Sequence, residues 1–213
     1  MTSSERILAA ARDGDAAAVR ELLASDPALV GALDAHRKTP LHLAAEHDHA
    51  EVAGVLLEAG AEIEAWTSWG ATPLEWAGVL GSRRAADVLL AHGARLTLAS
   101  AAGLGLVDAL PRLYREGGAV SAAFVLACRN GHTDAARFLL DRGADVDARG
   151  FFGATALHWA AINGHAETVG FLLAEGADPA LRDAEFDSDA LGWAREGGHE
   201  PVVATLTAPG RGR

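Results

Sequence analysis

The chain has 213 residues, 50% of them hydrophobic and 22% charged, a globular composition without the bias of a disordered or fibrous chain. Its formal net charge of -11 repels phosphate backbones and anionic lipid surfaces, so neither nucleic acid nor membrane is an expected partner. Cys128 is the only cysteine, which excludes an intramolecular disulfide and a thiolate metal cage and suits a reducing cytoplasm.

Only 6% of the residues are aromatic while Ala and Leu dominate, so an all-α interior of small and aliphatic side chains is predicted. Met1 to Glu5 is polar, and the apolar run that follows is broken by Arg12 and Asp13, too short for a signal segment or a membrane span. Ile7 to Leu23 reads as a first helix pair. Thr39-Pro40-Leu41-His42-Leu43-Ala44-Ala45 then recurs as Thr72-Pro73-Leu74-Glu75-Trp76-Ala77-Gly78 and as Thr155-Ala156-Leu157-His158-Trp159-Ala160-Ala161, with 33 positions from Thr39 to Thr72. Each Thr is predicted to cap a helix, and Pro40 and Pro73 fall at the first helical position, where no amide is needed. A second anchor, Leu56-Leu57-Glu58-Ala59-Gly60-Ala61, returns at Leu89, Leu139 and Leu172 with its glycine at Gly93, Gly143 and Gly176, where a left-handed C-cap is wanted. Gly131 and Gly164 break the chain between helices. Val52, Val55 and Leu56, and likewise Val169 and Leu172, give each second helix an apolar stripe that only a neighbouring unit can cover.

These recurring motifs resemble the ankyrin repeat, as a stand-alone array of bacterial type, over nearly the whole chain. The resemblance implies a solenoid of about seven helix-turn-helix units joined by short β-hairpin fingers. Leu191 to Leu206 aligns as the last unit, with Gly198-His199 in its turn, so residues 1–208 are predicted as a single domain and 209–213 as a flexible tail. It further implies that His42 and His158 hydrogen-bond the finger to the helix, and that His49, His132, His165 and His199 belong to the inter-helix turns.

Between Leu90 and Leu140 the register breaks. Aligning Leu113-Tyr114-Arg115-Glu116-Gly117 with the second anchor divides this span into steps of 24 and 26 positions, so two middle fingers are predicted to be shortened, after Gly93 and Gly117. Long fingers are expected at Asp34-Lys38, Glu62-Ala71, Asp145-Ala154 and Asp178-Ser188. A gap flanked by Trp66 and Trp69 on one side and Phe151 and Phe152 on the other is the expected consequence, and aromatic tips around a concavity suggest a binding site.

Ligand or partner contact is therefore expected at Trp66, Trp69, Phe151 and Phe152, with Trp76, Trp159, Arg129 and Asn130 on the groove side of the first helices. Trp76, Trp159 and Trp193 share one register position, which also suits packing between units. Cys128 stands where the family has Ala and is expected to be a buried, inert thiol. His36, His42, Glu46, His47, Asp48 and His49 crowd one unit, but without zincin-like spacing, so no metal and no cofactor is expected. No catalytic motif is present. The predicted function is a cytoplasmic binding protein that takes a protein partner, favoured to be basic, in its concave groove. The alternative is a site for an apolar small molecule between the aromatic fingers, or an atypical lyase or cyclase in which Glu75, which replaces the repeated His, and His158 transfer a proton.

Overall fold

The computed structural model of the chain describes residues 2–208; the expected tail at 209–213 lies outside them. Residue contacts divide the chain into two compact units, one ending at Leu96 and one starting at Thr97. The described residues form seven consecutive helix pairs, as the period predicts. The first unit holds α1 (Ser3–Asp13) and α2 (Ala16–Ser25), α3 (Pro40–Glu46) and α4 (Ala50–Glu58), and α5 (Pro73–Leu80) and α6 (Arg83–Ala91). In the second lie α7 (Leu98–Gly103) and α8 (Leu110–Glu116), α9 (Val120–Arg129) and α10 (Thr133–Leu140), α11 (Ala156–Ile162) and α12 (Ala166–Ala174), and α13 (Ala190–Glu196) and α14 (Glu200–Thr207).

Within each unit, first helices pack on first helices and second helices on second helices: α1 on α3 on α5, α2 on α4 on α6, α9 on α11 on α13, and α10 on α12 on α14. Leu41, Leu56, Leu74 and Leu89 in the first unit, and Phe124, Leu139, Leu157 and Leu172 in the second, are fully buried between these layers. Alanines at Ala44, Ala77, Ala127 and Ala160 are buried as completely, and their small size lets the helices approach closely. Cys128 is buried one position further on, in the column of Ala45 and Ala161, and burial pushes its thiol pKa far up, as an inert core thiol requires.

Thr39, Thr72 and Thr155 cap α3, α5 and α11, each in an extended backbone conformation with a reciprocal bond from the third helical residue. The connections follow the predicted lengths: only residues 92–97 separate α6 from α7, and only 117–119 separate α8 from α9. The long fingers are turns rather than paired strands. Each is closed by one backbone bond, Asp34 to Lys38, Thr67 to Ala71, Gly150 to Ala154 and Asp183 to Ser188, and the single β-bridge among the described residues joins Arg149 and Thr155.

The turns between paired helices lock one repeat to the next. Gly14, Gly105, Gly131 and Gly164 adopt left-handed conformations, and the ring of His49, His132, His165 or His199 from the following repeat fills the space a side chain would need. A Cβ added at Gly131 would lie 2.6 Å from His165 Nδ1. His49 Nε2 donates to the Arg12 carbonyl at 2.9 Å and His199 Nε2 to the Ile162 carbonyl at 2.9 Å. Within the first unit one junction is built otherwise. Asp48 takes the left-handed position, Ser82 replaces the histidine and donates to the Glu46 carbonyl at 3.3 Å, and the freed space lets Asp48 accept the Ala85 amide at 2.8 Å.

Gly131→Ala combines left-handed strain with the His165 collision and is expected to cost about 2 kcal/mol or more in urea denaturation. Gly131→Ala with His165→Ser, which imitates the Asp48–Ser82 junction, should recover part of that loss; a double variant no more stable than the single one would count against the interlock. Leu139→Ala should cost about 2 to 5 kcal/mol, because its cavity lies where flanking repeats cannot collapse on it.

Candidate functional site

In the first unit an aromatic cluster forms where the finger before α3 meets the finger before α5. The Ser68 amide donates to the His36 carbonyl at 2.9 Å, joining the two tips. Trp69 then lies 5.3 Å from the ring of His36 and 5.6 Å from that of Trp76. Lys38 reaches over both indoles, its Nζ 5.7 Å from the Trp69 centroid and 5.1 Å from that of Trp76. Its counter-ion is Glu46 at 2.6 Å, and both side chains are mostly buried. The chain's own cation therefore fills this cage.

A second cluster of the same construction lies within the second unit. The Ala184 amide donates to the Phe152 carbonyl at 2.8 Å, the counterpart of the Ser68–His36 bond. Phe152, held in a left-handed conformation, lies 6.2 Å from Trp159 and 6.3 Å from Phe186; Trp193 meets Trp159 edge-on at 5.1 Å and Phe186 at 6.2 Å. These four rings, with Ile162, Ser188, Gly192 and Glu196, line a cavity of about 570 Å³. Asp183 organises the finger beneath it. Burial opposes its ionisation, but amides of Phe186, Ser188 and Glu185 and the Trp193 indole N–H, at 3.0 Å, outweigh that and hold its pKa at about 2.

The remaining predicted residues take definite places. Trp66, Trp69, Phe151 and Phe152 are 47 to 61% exposed at finger tips, and Phe186, which is not among the predicted residues, is 65% exposed beside Phe152. The Arg129 guanidinium stacks on Trp159, 4.2 Å from its centroid, and burial lowers its pKa from the ordinary value. Asn130 Nδ2 donates to the Gly103 carbonyl at 2.7 Å, and Asn163, one repeat on, does the same to the Arg129 carbonyl at 3.0 Å, so the Asn130 amide is a strut between repeats. The buried indole nitrogens of Trp76 and Trp159 have no hydrogen-bond partner among the described residues.

Glu75 Oε2 accepts the Thr72 amide at 3.0 Å while the Glu75 amide donates to Thr72 Oγ1 at 3.3 Å, a capping box. His158 is buried with both ring nitrogens engaged: Nδ1 accepts from the Thr155 amide and hydroxyl, and Nε2 donates to the Ser188 carbonyl at 3.0 Å. His42 makes the same bonds to Thr39 and, through Nε2, to the Ala71 carbonyl at 3.1 Å. Both histidines tie finger to helix.

Sequence reasoning missed Phe186, Lys38, Glu46 and Glu196 as parts of these clusters. A signal was present. His36, Trp69, Phe152 and Phe186 each stand three residues before a helix cap, at Thr39, Thr72, Thr155 and Asp189, so one column of the repeat carries the finger ring of each pair that meets in the two clusters.

A family model described as Ankyrin repeats (3 copies) matches residues 7–100 and 96–183. The chain belongs to the ankyrin-repeat family. Among solved structures, the human ASB11 ankyrin repeat domain superposes with a TM-score of 0.52 at 28% identity, covering 97% of each chain. A stretch of 87 residues, 41% of the chain, is 44% identical to serine/threonine-protein kinase VIK of Arabidopsis thaliana, of which it covers 20%. The probable E3 ubiquitin-protein ligase XBOS32 of Oryza sativa subsp. japonica is 34% identical over 178 residues, 75% of this chain and 35% of that protein. The chain thus spans well under half the length of these two relatives. Ankyrin repeats are in general protein-interaction modules, which supports a binding role for this chain. No helix among the described residues is long and apolar enough to cross a membrane.

Two expectations follow from the ankyrin caps. Burial lowers the pKa of His42 and His158 below 6.5, against the raising effect of their Nε2 bonds. Below pH 6.5 the unfolded chain takes up protons that the folded chain refuses, so their stabilisation is complete above that pH and is lost as pH falls through the folded pKa values. Urea midpoints measured from pH 8 to 5 should fall on the acid side, and less steeply for His158→Gln; equal slopes would remove His158 from this role. Glu75→Gln keeps the capping box and should leave stability nearly unchanged, whereas Glu75→Ala should lose about 0.5 to 2 kcal/mol in the same assay.

Proposed function

We propose that this chain binds a basic protein partner through its finger tips and the adjoining first-helix positions. The observation that carries this reading is where the exposed aromatics stand. Among the described residues, five of the six exposed Phe, Trp and Tyr side chains, Trp66, Trp69, Phe151, Phe152 and Phe186, are on fingers, and large exposed rings of this kind are the usual anchors of protein interfaces. The formal charge of -11 adds long-range steering toward a cationic partner. The same reading puts the protein in the cytoplasm, where the unpaired Cys128 stays reduced.

The proton-transfer alternative would need Glu75 and His158 to release their capping bonds, and no observation favours it. Trp66 and Phe151 test the binding reading best, because their rings are exposed and neither makes a ring contact with a neighbour among those described above. A partner recovered by affinity at low salt, then purified, should bind Trp66→Ala/Phe151→Ala at least about tenfold more weakly, with the melting temperature unchanged. Association should also slow as salt is raised. Equal affinity for parent and variant would remove the fingers from the interface.

A further inference from the structure

The two aromatic clusters occupy matching columns of the repeat, yet only the first has a lysine seated among its rings. In the first unit the occupant is Lys38, the residue before the Thr39 cap, seated between Trp69 and Trp76 with Glu46 as counter-ion. In the second unit Phe186 and Trp193 stand three residues before and four after the Asp189 cap, as Trp69 and Trp76 do about Thr72. The residue before the Thr155 cap is Ala154, too short to enter the cage. Glu46's own place is taken by Ile162, and the carboxylate moves one repeat along the same column, to Glu196.

What remains is the cavity of about 570 Å³, whose lining has four rings, one carboxylate and no cationic side chain. That is the environment Lys38 occupies in the first unit, without the lysine. The Trp193 indole donates to the ionised Asp183 at 3.0 Å, which makes its ring richer in electrons and a better partner for a cation. Arg129 does stack on Trp159, but it comes from α9, and α11 packs between α9 and α13; among the described residues no cation is recorded over Trp193, Phe152 or Phe186.

We infer that the cavity formed by Phe152, Trp159, Phe186, Trp193 and Glu196 receives a lysine side chain of the partner protein, in the way the first unit houses Lys38. The inference rests on the protein-binding reading and names the partner group that one of its surfaces takes. The aliphatic stem lies against the rings while the ammonium meets their faces and the Glu196 carboxylate.

The test uses the pentapeptide Gly-Gly-Lys-Gly-Gly with its termini blocked, and the same peptide carrying norleucine, which keeps the stem and removes the charge. Titration into the full chain is followed by the indole N–H resonances of Trp159 and Trp193, with Trp76 as internal control. The lysine peptide should shift Trp159 and Trp193, leave Trp76 in place, and bind at least about fivefold more tightly than the norleucine peptide. Glu196→Gln, on an exposed helix end, should weaken it at least threefold, and Phe186→Ala likewise, while the hydrogen-bonded Trp193 resonance reports an intact fold. No shift with the lysine peptide, equal binding of the two peptides, or undiminished binding to both variants would overturn the proposal; equal binding would make the cavity an apolar site. The peptide assay needs no natural partner, so its failure leaves the Trp66 and Phe151 experiment standing, and failure of that experiment leaves this one readable.

Discussion

The ring of His165 lies where the side chain of residue 131 would be, and it comes that close because Gly131 has none. Gly14, Gly105 and Gly164 repeat the arrangement with His49, His132 and His199, so each turn sets the distance at which the next repeat can dock. In a one-dimensional stack every other contact inherits that spacing. Leu41 and Leu74, or Leu157 and Leu172, are buried because layers held at this separation exclude water from the seam. The Asp48–Ser82 junction shows that the spacing, rather than the residue pair, is what must be kept: a smaller side chain on one repeat admits a larger one on its neighbour, and an amide of α6 gains an acceptor.

The fingers depend on the same spacing. Tip-to-tip bonds, Ser68 to His36 and Ala184 to Phe152, form only if adjacent repeats advance by a fixed amount, and they bring rings from neighbouring fingers into one cluster. Exposed aromatic surface is unfavourable in water. Here it is held open by polar groups: Asp183 accepts three finger amides and an indole N–H, and Arg149 donates to the Gly153 and Arg182 carbonyls. A finger fixed from below cannot fold its rings away.

The fold was legible because its signals are periodic and local. Thr caps, Pro at the first helical position, left-handed glycines and the 33-residue step each recur at fixed register, and the steps of 24 and 26 located the two short connections. The clusters were legible only in part, since they are assembled across repeats. Trp66, Trp69, Phe151 and Phe152 stood out as aromatic pairs in polar loops, whereas Phe186 sits alone in Asp178–Ser188, a finger with one more residue inside its closing bond than Gly150–Ala154, and counting from the previous finger misses it. Counting back from the cap finds it. Lys38 drew no attention and Glu46 stood out only among the side chains that crowd one unit, because nothing in their own segment announces the indoles, 31 and 38 residues on from Lys38, that make them an internal pair.

Glu75, the departure that drew attention as a possible reactive carboxylate, follows from what comes after it in the chain. A residue at the third helical position can satisfy the amide of its cap, and both His and Glu accept that bond. Histidine has a second nitrogen, and in α3 and α11 it donates to a carbonyl at the end of a long finger, Ala71 or Ser188. After α5 and α6 no long finger follows, only residues 92–97, and after α7 and α8 only 117–119. At these two places the third position is Glu75 and Ser100, each closing its capping box and neither reaching a finger. A neutral ring held with both nitrogens in use stabilises a hairpin that would otherwise fray; where the hairpin has been cut away, its donor would be left without an acceptor, and a carboxylate or a hydroxyl caps the helix without that cost.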